Sequence, residues 1–147
     1  MPAILLDVNL LVALFAADHS HHVAAENWFR EHEKKGWATC PFTQAGFIRL
    51  LSNPSVATTA VSPAEAMAVL GENMDSPHHE FWADDLSYAQ AIEPLKPGVT
   101  GHRQVTDAYL LGLAIYHKGR LATFDRSIAA LLPEGKRKSD WIVELST

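Results

Sequence analysis

The chain has 147 residues, 48% of them hydrophobic and 20% charged, and its 12 basic and 17 acidic residues give a formal net charge of −5. A chain of that length is one ordinary domain that buries about 70% of its unfolded surface, so disorder, a collagen-like rod and a coiled coil are poor readings and no staple is needed for folding. The single cysteine, Cys40, excludes an intramolecular disulfide and a cysteine-based zinc site, and fits a reducing, cytoplasmic setting.

The net acidity argues against a bulk nucleic-acid binder. No apolar run approaches the ~20 residues of a membrane span. The first apolar run, Ala3 to Leu6, stops at Asp7 without a basic leader or a small-residue cleavage site, so neither a membrane anchor nor a signal peptide is expected.

Ala3 to Asp7 reads as a buried strand. Asn9 to Ala16 is helical, and Ser20 to Lys35 is a stronger helix, with Val23, Ala24, Trp28 and Phe29 on one face and Gly36 as its stop. Trp37 to Cys40 is a second strand, closed by Pro41. Thr43 is the expected N-cap of a helix through Leu51, ended by Ser52-Asn53-Pro54. Ser62-Pro63-Ala64-Glu65 starts a helix to Asn73. Glu80 to Trp82 is a third strand, and Ser87 to Ile92 a short helix. Beyond the Pro- and Gly-marked connection from Pro94 to Gly101, Thr106 is the expected cap of an apolar helix, Asp107 to His117, with Gly119 at its end. Arg120 to Phe124 is a fourth strand, Ser127 to Leu132 a short helix, Pro133 to Ser139 a basic turn and Trp141 to Leu145 a last strand. Strands alternating with helices predict an α/β fold, residues 1–147 in one domain, with a mostly parallel central sheet flanked by helices on both faces.

Asp7 and Asp125 each end an apolar strand and precede a helix, and Asp107 opens the most apolar helix. Any one of them is explained by helix capping, because Asp satisfies free N–H groups and suits the helix dipole. Three delivered to the carboxyl edge of a parallel sheet can instead share one site, since ligands bind there. Like charges in a cleft repel, and a cation relieves them. Oxygen-only ligands suit Mg²⁺ or Mn²⁺ rather than zinc, and such a site supports hydrolysis of a phosphodiester.

Five blocks carry a resemblance. They are Leu5-Leu6-Asp7-Val8-Asn9-Leu10-Leu11; Pro41 to Pro54, reading PFTQAGFIRLLSNP; Phe81-Trp82-Ala83-Asp84-Asp85; Gln104-Val105-Thr106-Asp107-Ala108-Tyr109-Leu110-Leu111; and Leu121-Ala122-Thr123-Phe124-Asp125-Arg126. In this order they resemble the PIN-domain ribonucleases, and within them the VapC toxins of type II toxin–antitoxin pairs. The resemblance implies a Mg²⁺-dependent endoribonuclease, with Mn²⁺ able to substitute, acting on a cellular RNA. It also implies homodimerisation and inhibition by a VapB-type antitoxin protein. Asp7 and Asp107 would hold the metal, and Asp125 would hold it through water or orient the attacking water. Gln44 stands where the family has Glu, offering a neutral oxygen in place of a charge. Asn9 and Thr123 would brace the aspartates, or serve only as helix-start and strand residues. Asp84 and Asp85 match the family's text without an assigned role. Arg103, Arg120 and Arg126 are the expected guides of the RNA backbone, whereas the His19-Ser20-His21-His22 tract reads as structural or surface. Loss of the fourth acid keeps open an alternative, a catalytically degenerate PIN domain that binds RNA or protein. A phospho-acceptor receiver domain is disfavoured, because the tight acidic pair near the first strand and the late lysine are missing.

Overall fold

The structure, a computed structural model, describes residues 2–95 and 97–146. In chain order it runs β1 (Ile4–Leu6), α1 (Val8–Phe15), α2 (His22–His32), β2 (Trp37–Thr39), α3 (Pro41–Leu51), α4 (Pro63–Met74), β3 (His79–Phe81), α5 (Tyr88–Ile92), α6 (Val105–Tyr116), β4 (Arg120–Thr123), α7 (Lys138–Trp141) and β5 (Ile142–Glu144). The strands form one sheet in the order β3-β2-β1-β4-β5, and every pairing is parallel. The chain winds outward from β1 through β2 to β3, then returns to place β4 on the other side of β1. Leu5 pairs with both Ala38 and Leu121, so β1 is central. The reversal makes the carboxyl ends of β1 and β4 the switch point, where open α/β sheets leave a crevice.

Alternation along β1 explains why helices cover both faces. Ala3 and Leu5 point into one cluster with Trp82, Leu110, Leu113 and Leu121. Ile4 and Leu6 point into the other, with Leu10, Trp37, Phe47 and Leu70. No described helix is long and apolar enough to cross a membrane.

Most expected elements are present within a residue or two at each end, and the differences have local causes. The α3 cap is Cys40, not Thr43. Pro41 takes the first helical position, which moves the start forward, and Thr43 turns back to accept from the Cys40 N–H at 3.0 Å. Helix α6 starts at Val105 without a side-chain cap, because the 3₁₀ turn His102–Gln104 leads directly into it and leaves Thr106 inside the first turn. At its other end Lys118, not Gly119, takes the left-handed conformation (φ 58°). The Gly119 and Lys118 N–H groups return to Ala114 and Ile115 carbonyls, a Schellman closure. Gly119 is needed for space instead: a methyl there would lie 2.5 Å from the Ala3 carbonyl oxygen. Ser127 to Leu132 is 3₁₀ rather than α, over Arg126–Leu131. The basic turn ends in the short α7, so the last strand starts at Ile142. Within it Lys138 bonds Glu144 at 3.0 Å and Lys136 sits 5.4 Å from the Trp141 ring centre, so two of those basic residues are tied to the fold.

Helices α5 and α6 cross at very close range. A methyl group on Gly112 would lie 2.0 Å from the Ala91 carbonyl oxygen. That crossing places α6 against the sheet and fixes where its first turn arrives.

Candidate active site

Asp7 follows β1 directly and caps α1, its Oδ1 accepting from the Leu10 N–H at 2.8 Å. The capping reading is therefore correct, and it is incomplete. Oδ2 accepts from the Thr123 hydroxyl at 2.5 Å, across 116 residues of sequence. The same hydroxyl oxygen accepts from the Asp125 N–H at 2.9 Å, so Thr123 links the backbone after β4 to the carboxylate after β1. Asp125 has its own cap, with Oδ1 accepting from the Ser127 N–H at 2.9 Å and from its hydroxyl at 2.6 Å. An Asp followed two residues later by Ser is a recognisable local-turn signal, and it marks Ser127 as a site residue that sequence reasoning missed.

Asp7 and Asp107 sense their acidic neighbours. Burial pushes the Asp7 carboxyl up to about 6, its two hydrogen bonds pull the other way, and Asp107 and Asp125 raise it further. Asp107, half-buried in the first turn of α6, is raised by burial and then by Asp125. Three carboxylates from β1, α6 and β4 thus share one electrostatic neighbourhood at the switch point. Among the described residues no group of three or more His, Cys, Asp or Glu makes a ready metal cage. The donor set is oxygen-only, and a hard cation that keeps most of its waters needs just one or two carboxylates. A hydrated divalent ion fits these residues, and its charge would relieve the repulsion.

Gln44 is occupied elsewhere. Its Nε2 donates to Thr39 Oγ1 at 3.0 Å and lies 3.4 Å from Met74 Sδ. Thr39 in turn meets His79 Nε2 at 2.8 Å. This network joins the end of β2 to α4 and β3, and no hydrogen bond carries Gln44 to the aspartates among the described residues. Asn9 is exposed in the first turn of α1 and lines a cleft with Asp125, without a bond to Asp7. Asp84 accepts from the Tyr109 hydroxyl at 3.3 Å. Burial pushes that phenol up to about 12, helped by the charge of Asp84, so Asp84 anchors α6.

A match to the PIN domain covers residues 4–131. The chain belongs to the PIN-domain family. Its relatives include Ribonuclease VapC38 of Mycobacterium tuberculosis, 46% identical over 86% of this chain and 88% of that one. Ribonuclease VapC39 of the same organism is 43% identical over 85% and 90%, and Ribonuclease VapC44 is 40% identical over 91% and 94%. At this identity and coverage the chain is one of the VapC ribonucleases within the PIN family, and its all-parallel five-stranded sheet with helices on both faces is its version of that fold.

The three arginines expected on RNA separate in this PIN domain. Arg126 directly follows Asp125, and Arg103 lies in the 3₁₀ turn that delivers Asp107; both are exposed. Arg120 opens β4, so the strand carries it about 10 Å from the carboxyl edge. There it lines a different cleft with Lys118, Ser139 and Asp140. Removing Arg103 or Arg126 is expected to flatten the salt dependence of RNA binding by roughly one phosphate contact each. Arg120→Ala should leave the slope unchanged, as read by fluorescence anisotropy across a salt series.

Proposed function

We propose that the chain is the toxin of a VapBC pair, a Mg²⁺-dependent endoribonuclease, with Mn²⁺ as a substitute, that hydrolyses phosphodiester bonds in a cellular RNA. The observation that carries this reading is that the buried Asp7 carboxyl, at the switch point of a PIN fold, is raised by burial and then by the charges of Asp107 and Asp125, and that Asp125 also raises Asp107. Residues 1–147 act as one PIN domain, because β5, beyond the matched segment, completes the same sheet beside β4.

Asp7 and Asp107 would hold the ion. When bound, a divalent cation lowers the pKa of a ligand water and neutralises charge building on the phosphate. Asp7 is held rigid for this role by Leu10 and Thr123. Asp125, with one oxygen committed to Ser127, keeps its other oxygen to orient the attacking water. That water's oxygen joins phosphorus, the bond to the 3′ oxygen breaks, and the 3′ oxygen takes up a proton. The products are a 5′-phosphate and a 3′-hydroxyl. Arg103 and Arg126 would guide the RNA backbone, while Gln44 sets the second strand's end and leaves the site one charge short of a four-acid version. A VapB-type antitoxin and a second copy of the chain are the expected protein partners.

The test is to incubate pure, partner-free protein with total cellular RNA and Mg²⁺, Mn²⁺ or EDTA, beside Asp107→Asn. Discrete metal-dependent fragments bearing 5′-phosphates, absent with the variant, are expected. Products ending in 2′,3′-cyclic phosphate would overturn the water-attack route. A folded protein that binds RNA and cuts none would make the chain a binding module, with Gln44→Glu the variant to try next.

A further inference from the structure

Next to Asp125 lies an open cleft of about 390 Å³ lined by Asn9, His19, Ser20, His21, Phe124 and Asp125, within the ~300–1,000 Å³ range of ligand clefts. It runs on, through Asn9, His19 and Ser20, into a second cleft of about 360 Å³ bounded by Val12, Ala16, Leu51 and Val56. The histidine tract that reads as structural in the sequence divides in two here. His22 is structural: its Nδ1 lies 2.9 Å from the Ala13 carbonyl and its Nε2 lies 3.3 Å from Glu26. His19 and His21 face the cleft. The His21 ring lies on Phe124, with ring centres 5.2 Å apart and planes 36° apart, and the His19 ring is 5.6 Å from it.

We propose that His21 and Phe124, with His19 beside them, form the platform on which the base of an RNA nucleotide flanking the cut phosphate stacks. This rests on the ribonuclease reading above. Aromatic faces bind unstacked RNA bases with little regard for sequence, because every base has a π-face. His19 Nδ1 accepts from the His21 N–H at 3.0 Å, so the neutral ring carries its proton on Nε2, a donor for the same nucleotide. Burial and the neighbouring His21 hold the His19 ring toward its neutral form, which suits hydrogen bonding over charge pairing. A transition-metal site is the other use of such a tract. With His22 turned away and His19 Nδ1 already engaged, no metal-holding group forms among the described residues.

The test uses a fluorescein-labelled single-stranded oligoribonucleotide of mixed sequence. Equilibrium binding is read by anisotropy in EDTA, and cleavage of the same oligonucleotide is followed with Mn²⁺. His21→Ala should weaken binding and raise KM about 5- to 100-fold, with kcat little changed. His21→Phe, which keeps the ring, should stay within about threefold of wild type. His22→Ala should lower the melting temperature and leave binding as it was. Unchanged binding in His21→Ala would overturn the platform, as would His21→Phe binding as weakly as His21→Ala. An oligonucleotide that wild type binds through His21 and never cuts would sink the ribonuclease reading and keep the platform. One that is cut with unaltered KM in His21→Ala would do the reverse.

Discussion

Metal-free Asp7→Asn protein is expected to melt ~5–10 °C above wild type at neutral pH while cutting RNA at least ~100-fold more slowly when metal is restored. Asp7 is only 5% exposed. Its carboxyl is pushed by burial from an ordinary 3.8 up to about 6 in the folded protein. Between those values the native chain holds a proton that the unfolded chain has released. The stability from this group is therefore complete below about 3.8 and is lost as pH rises through about 6. Two pH units correspond to roughly 3 kcal/mol. Asn escapes this loss, since its amide can accept from Leu10 and donate to Thr123, whose oxygen has a second lone pair. Scanning calorimetry in EDTA should show the two melting temperatures converging near pH 4, separating up to about pH 6 and running parallel above. A gap that ignores pH, or a variant less stable at neutral pH, would show that Asp7 is not a buried, disfavoured charge. Saturating metal should reverse the order, because an ion at about 1,000 times its Kd adds about 4.1 kcal/mol to the form that binds it.

Gly112→Ala is expected to cost about 3 kcal/mol and lower the melting temperature by ~6–12 °C, a large effect for one methyl group. The added carbon would overlap the Ala91 carbonyl oxygen and its carbon, at 2.0 and 2.6 Å. Both are backbone, so no rotamer change relieves the contact and α5 must move off α6. The displacement reaches the site, because the first turn of α6 carries Asp107 and Tyr109 ties that helix to Asp84. Cleavage should fall along with stability. Gly71, with open space around it, is the control: Gly71→Ala in the last turn of α4 should be neutral or slightly stabilising.

Local signals carried much of the fold. Ser62 and Ser87 cap their helices as Ser-led starts should, Gly36 stops the second helical stretch at φ 99°, and alternating burial marks β1. Local signals failed where two of them competed. Thr43 and Thr106 are good caps by residue type, but Pro41 and the 3₁₀ turn at His102 start the helices earlier. In the site, the aspartates were legible because Asp7 and Asp125 stand where strands end and Asp107 stands where an apolar helix begins. What joins them was not. Thr123 beneath Asp7, Phe124 against His21 and Thr39 against His79 are long-range pairings made by the fold, which no window of sequence contains. Gln44 adds a case in which a motif misleads: its place there suggested the metal, and its side chain is held by Thr39 at the end of β2 and by Met74 of α4.

The bond between Thr123 and Asp7 also sets when during synthesis this protein becomes complete. A ribosome adding about 5–20 residues per second needs roughly 6–23 s to travel from one to the other. Until β4 emerges, β1 lacks its neighbour on one side, and Asp7 has neither Thr123 nor Asp125. Nascent and prematurely released chains therefore lack the assembled acidic cleft, and only a chain grown past β4 joins Asp7 to Thr123 and brings Asp125 beside it.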